Sequence, residues 1–190
     1  MHPDTRNIAG YMKDFGLHIL GRAVVDATFS ETMKPFAHPL AVVHAAHGAE
    51  IILKARIAQE HPLLVFENLP KSGSTAGDLT ITELLNHGRT IRYEDLPESL
   101  WATTGHRLAK TKEFLEFGRL RNQIMHFAVP DAELAEATLR FCFEVIEPAV
   151  QDFWKESLVG YAEEWDDVIH SDGYLSEQLA RLGIELARDG

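Results

Sequence analysis

The chain has 190 residues, a formal net charge of −11, 45% hydrophobic and 25% charged residues, and one cysteine. Such a chain can build one domain with a real core, and the lone Cys142 excludes an internal disulfide and any multi-cysteine zinc site. No stretch approaches the roughly 20 apolar residues that span a bilayer. Because Met1-His2-Pro3-Asp4-Thr5-Arg6 lacks the charged-then-apolar layout of a secretion signal, a cytoplasmic protein with no membrane partner is expected.

The hydrophobic periodicity predicts an almost wholly helical protein. A first helix over about 5–29 places Ile8, Met12, Phe15, Ile19 and Leu20 at helical spacing. Pro35 and Pro39 mark a break, and a second helix runs from about Pro39 to Gln59 with Val42, Val43, Ala46, Ala49, Ile52, Leu53 and Ile57 as its apolar set. His61-Pro62 ends it. Residues 69–78 read as a solvated loop: the glycines and serines lack the Gly-Lys-Ser/Thr order of a phosphate loop. A short helix over about 80–87 has Thr80 as its cap and Glu83 three residues later. Residues 88–102 read as connection, with 89–93 the only strand candidate. A helix over about 103–128 follows. Then comes a long acidic helix from Asp131 to Leu158, kinked at Pro148, and shorter helical pieces over 161–170 and 174–188.

Charge is unevenly spread. Residues 131–190 carry 15 acidic and 4 basic side chains, whereas 1–130 carry 14 of each. Within 103–130, Arg107, Lys110, Lys112, Arg119 and Arg121 outnumber Glu113 and Glu116. This is the positive part of an acidic protein. Salt screens charges beyond about 8–10 Å, so a local basic site can bind phosphate despite the total, but lasting attachment to long nucleic acid is disfavoured.

That basic stretch contains Arg121-Asn122-Gln123-Ile124-Met125-His126, followed by Phe127. At about 100° per residue, Phe117, Leu120, Ile124 and Phe127 form an apolar, core-facing stripe. Arg119, Asn122 and His126 cluster on a face well over about 100° away, and Arg121 lies on the flank, about 140° from His126. Arginine holds and neutralises phosphate, histidine moves protons near neutral pH, and the amide can orient either. An arginine and a histidine on a helix surface are also common without function. The adjacent asparagine, the amphipathic separation and the local positive charge favour a site.

The hexad resembles the R-x(4–6)-H signature of HEPN domains, a helical nucleotide-binding and ribonuclease fold of prokaryotic toxins and defence proteins. In the second helix, Glu50 and Lys54 followed by His61-Pro62 look like the Glu-x3-Lys helix and His-Pro segment of several HEPN families. The resemblance covers about 1–150. It implies an all-α, HEPN-like helical bundle over 1–150, with an acidic C-terminal helical extension over 151–190 packed on it. It also implies a homodimer paired through the motif helices, and a metal-independent endoribonuclease with no cofactor. RNA or a nucleotide is the expected ligand, and an antitoxin or other partner protein is a further possibility. Arg121, Asn122 and His126 are the expected catalytic residues. Arg119, Glu50 and Lys54 are the expected substrate-binding residues, although Glu50 and Lys54, four apart, also make an ordinary helix ion pair. His44, His47 and Glu50 have spacing that could hold a metal, but the zinc-protease pattern is absent, and packing or surface histidines are favoured. Two other classes stay open: a non-catalytic nucleotide- or RNA-binding module, and a structural interaction domain.

Overall fold

The computed structural model describes residues 7–29, 36–71, 79–127, 133–164 and 173–185. The class is all-α, with one two-stranded sheet among the described residues. The first two helices are α1 (Ile8–Thr28) and α2 (Ala37–Glu60). A 3-10 turn (Pro62–Val65) leads into β1 (Phe66–Asn68), followed by α3 (Ile81–His87), β2 (Arg89–Thr90) and α4 (Leu96–Thr104). Then come α5 (Thr111–Phe127), α6 (Leu134–Arg140), a π-helical stretch (Phe141–Ile146), α7 (Glu147–Trp154), α8 (Leu158–Glu163) and α9 (Tyr174–Arg181). Two compact units are formed: Met1–Asp14 with Glu50–Arg107, and Phe15–Ala49 with Leu108–Gly190.

In the first unit, local chemistry sets each boundary. His61 caps the 3-10 turn, its Nδ1 accepting from the Leu63 amide, and Pro62 opens that turn because its missing N–H would have no partner there. Thr80 and Glu83 form the reciprocal capping box that their spacing predicts. β1 and β2 pair antiparallel, Phe66 opposite Thr90, with an irregularity before Asn68 meets Arg89. The strand expected at 89–93 is therefore real but only two residues long. Residues 96–102, expected as connection, are helix instead, the larger part of α4. Pro97 reads as a breaker in sequence, yet it occupies the first turn of α4, where proline is favoured. Gly105, at φ +77, then ends α4 and separates it from α5. The helix expected over 103–128 is thus interrupted over 105–110, and the hexad helix starts at Thr111, not 103.

The second unit is built on close helix approach. α1 buries Leu17, Leu20, Ala23, Val24 and Val25, while Phe15, expected in the core, is 47% exposed. Gly48 on α2 sits against Leu20 and the Gly16 carbonyl. Gly21 lies against the backbone of Tyr161 in α8, and a Cβ there would stand 2.5 Å from the Tyr161 carbonyl oxygen. The expected long helix after residue 131 is α6, the π stretch and α7 in direct succession. Its expected start, Asp131, lies outside the described residues. Within the wide turn the Glu147 amide bonds the Cys142 carbonyl, five residues back. The turn ends just before Pro148, whose ring would crowd the carbonyl four residues earlier in a regular helix. Lys155, at φ 59, then stops α7 before the expected Leu158. Cys142 is fully buried in this stretch, and burial pushes its thiol well above the ordinary range.

Gly21→Ala is expected to destabilise the protein by about 1–3 kcal/mol, because backbone rather than a flexible side chain blocks the new methyl. Gly160→Ala, also helical but with nothing within 4 Å of the new Cβ, should stabilise by about 0.5–1 kcal/mol through helix propensity. Urea unfolding of both variants checks the opposite signs.

Candidate functional site

α5 carries the hexad on a helix with two distinct faces. Phe114, Phe117, Gly118 and Ile124 are buried. Phe117 stacks on Phe141 of the π stretch, with centroids 3.8 Å apart and planes 3° from parallel. The Lys110 ammonium, just before α5, donates to the Glu144 carboxylate at 2.6 Å. That bond and the Arg140 guanidinium, against the opposing push of burial, hold Glu144 below the usual carboxylate range. These contacts fix how α5 is rotated.

With that rotation, Arg119, Asn122 and His126 are all exposed. The predicted polar face is therefore presented as a row. His126 meets Phe127 edge-on at 6.5 Å. The apolar stripe holds only in part: Phe117 and Ile124 are buried and Leu120 is half-buried, but Phe127 is 81% exposed. Together with Met125, 60% exposed, Phe127 leaves apolar surface at the end of α5. Arg121 is half-buried, its Nε shielded from water. It follows Phe117 by four residues, about 40° around the helix, so it leans to the buried side instead of joining His126.

The other cations of the basic stretch are partly engaged. Lys112 lies 3.8 Å from Glu116. Arg107, which belongs to the first unit, sits over the Trp101 ring at 4.4 Å. Arg119 and Asn122 have no partner among the described residues.

Glu50 and Lys54 lie in the first unit. Lys54, only 7% exposed, donates to Glu50 at 2.6 Å and to the Thr90 hydroxyl on β2 at 3.1 Å. Two acceptors satisfy this nearly buried ammonium, and it joins α2 to the sheet within that unit. This pair therefore has a structural task that the helix spacing alone does not show.

A second constellation, in the second unit, is absent from the sequence reading. Asp26 on α1 is 2% exposed. Its Oδ2 accepts from Arg22 Nε at 2.8 Å, and His44 Nδ1 on α2 faces the same oxygen at 3.7 Å. Asp26 Oδ1 and His44 Nδ1 are buried and make no hydrogen bond among the described residues. Burial alone would raise the Asp26 pKa, but the facing His44 ring and the Arg22 guanidinium outweigh it and lower the value. The only hint in the sequence is a charged residue inside the apolar run from Ala23 to Thr28. His44 thus packs against a carboxylate, while His47 is exposed. Among the described residues no group of three or more His, Cys, Asp or Glu side chains could hold a metal ion. No helix among them is long and apolar enough to cross a membrane.

Compared with known proteins, the chain matches no family model, no curated protein and no solved structure.

The depressed Asp26 pKa contributes stability that is complete above the unfolded value of about 3.9 and is lost as pH falls through the folded value. Unfolding free energies measured from pH 7 downward should therefore decline below about pH 4. Asp26→Asn should cost about 1–3 kcal/mol at pH 7 and flatten that acid limb. A variant as stable as the parent, with an unchanged acid limb, refutes this account.

Proposed function

We propose that the protein is a metal-independent endoribonuclease of the HEPN type, acting as a toxin or defence effector on cytoplasmic RNA. One observation carries this reading: Arg119, Asn122 and His126 stand exposed in a row on α5, on the helix that also holds Arg121. The resemblance of the hexad to the HEPN signature supplies the family, and with it the HEPN-like bundle.

In this reading the RNA's own 2′-hydroxyl attacks the adjacent phosphorus. The hydroxyl proton passes to a base as the new P–O bond forms, and the bond to the 5′-oxygen breaks as that oxygen takes a proton from an acid. His126 acts as one of these two groups. Arg121 neutralises the charge building on the phosphate, and Asn122 orients phosphate or imidazole. The products are a 2′,3′-cyclic phosphate and a 5′-hydroxyl end, and DNA, lacking the 2′-hydroxyl, is spared. A twofold dimer completes the site, because Arg121 and His126 lie about 140° apart on one helix and a second copy can bring its own groups across. The exposed Met125 and Phe127 at the end of α5 offer apolar surface for that pairing.

A non-catalytic RNA- or nucleotide-binding module rests on the same exposed row, and incubation with a small RNA in EDTA separates the two. Cleavage to cyclic-phosphate ends supports the enzyme; binding without cleavage supports the module. His126→Ala should lower cleavage on the order of 10²–10⁴-fold while shifting stability by no more than about 0.5 kcal/mol, as its side chain is exposed. Arg121→Lys should recover only part of the activity that Arg121→Ala loses, because lysine cannot offer the guanidinium's fork. A folded His126→Ala protein that cleaves normally refutes the assignment. Sedimentation at micromolar concentration should show a dimer, and a clean 21.3 kDa monomer removes the composite site.

A further inference from the structure

We propose that Arg119 binds the phosphate next to the scissile one, so that the substrate is single-stranded RNA recognised through at least two successive phosphates. This inference rests on the reading of His126 as the proton-transfer group. Seven residues separate Arg119 from His126, or about 10 Å along the helix axis. Helical side chains lean toward the N-terminus. Arg119 therefore reaches away from His126, while His126 reaches back over the turn of Asn122. One phosphate group cannot meet both heads.

Asn122 lies about one turn from each, where the nucleotide joining two phosphates would pass. Its amide can both donate and accept there. The charge inventory points the same way. Lys110 is bound to Glu144 and Lys112 stands against Glu116. Arg119 is exposed and has no carboxylate partner among the described residues. Its fork suits phosphate oxygens. The row is straight along one helix, and it follows an extended strand better than the deep, narrow groove of an RNA duplex.

The test uses dinucleotides carrying 2′-O-methyl groups, which cannot be cleaved, with and without one additional terminal phosphate at the 5′ or the 3′ end. Binding is measured by fluorescence or NMR titration on the full chain. The wild type should bind one of the phosphorylated forms about tenfold or more tightly than the plain dinucleotide. In Arg119→Gln that ratio should collapse toward one, and in Arg119→Lys part of it should survive. The slope of log affinity against log salt should also fall by about 0.7 in Arg119→Gln, the loss of one single-strand phosphate contact. A ratio near one in the wild type, or one that Arg119→Gln leaves intact, overturns the proposal. Failure of the ribonuclease reading looks different: cleavable RNA stays intact while the ratio and its loss persist. Absence of binding by every form overturns both.

Discussion

The stack of Phe117 on Phe141 sets the phase of α5, and the placement of the hexad follows from it. Once those rings lie parallel, Phe114 and Ile124 fall on the buried arc and Arg119, Asn122 and His126 fall outside it. A one-residue change of phase, about 100°, would drive the polar row toward the core and expose the phenylalanines. The Lys110–Glu144 bond acts at the start of the helix and opposes such a rotation. Both anchors rest on the same short segment, since Phe141 and Glu144 belong to the π stretch. A wide turn next to Pro148 thus does more than absorb a proline: it aims an aromatic ring and a carboxylate at the helix that carries the hexad.

Asp26 poses the opposite problem, a charge that the fold buries instead of presenting. An aspartate removed from water destabilises a core unless it is paired. Here one oxygen is held by Arg22, while the other has no hydrogen bond among the described residues. The His44 ring, its Nδ1 3.7 Å from the Arg22-bound oxygen, faces the carboxylate from α2 across the gap between the two helices. The close approach of these helices at Gly48 and Leu20 brings that ring within reach. Helix packing and the survival of a buried carboxylate are therefore one constraint, met twice along the same pair of helices.

What could be read in the sequence was whatever depends on neighbours along the chain. The Thr80–Glu83 capping box, the apolar face of α2 and the exposed row on α5 are all patterns within four residues, and the structure contains each of them. What could not be read depends on partners far away. Phe15 and Phe127 continue apolar stripes by spacing, yet no packed neighbour covers them fully among the described residues. Pro97 is ambiguous because a proline breaks a helix and opens one with equal ease, depending on what precedes it. Glu50–Lys54 reads as a surface pair until β2 supplies Thr90 and covers the lysine. Asp26 and His44 are eighteen residues apart, and no local pattern links them.

The packing also changes what the basic stretch can offer. In sequence, 103–130 carries five cations against two carboxylates. In the folded chain Lys110 and Lys112 face carboxylates, and Arg107 stacks on Trp101 within the first unit. The charge offered to a ligand on α5 is thus concentrated at Arg119, with Arg121 half-buried beside the core. A surface so thinned can hold a phosphate or two but not a long polyanion, since each phosphate contact adds only a modest, salt-sensitive increment. For an acidic protein proposed to cut RNA, that weakness is useful. Under that proposal, attraction at Arg119, set against the net negative charge of the chain, favours brief engagement and release over storage of nucleic acid.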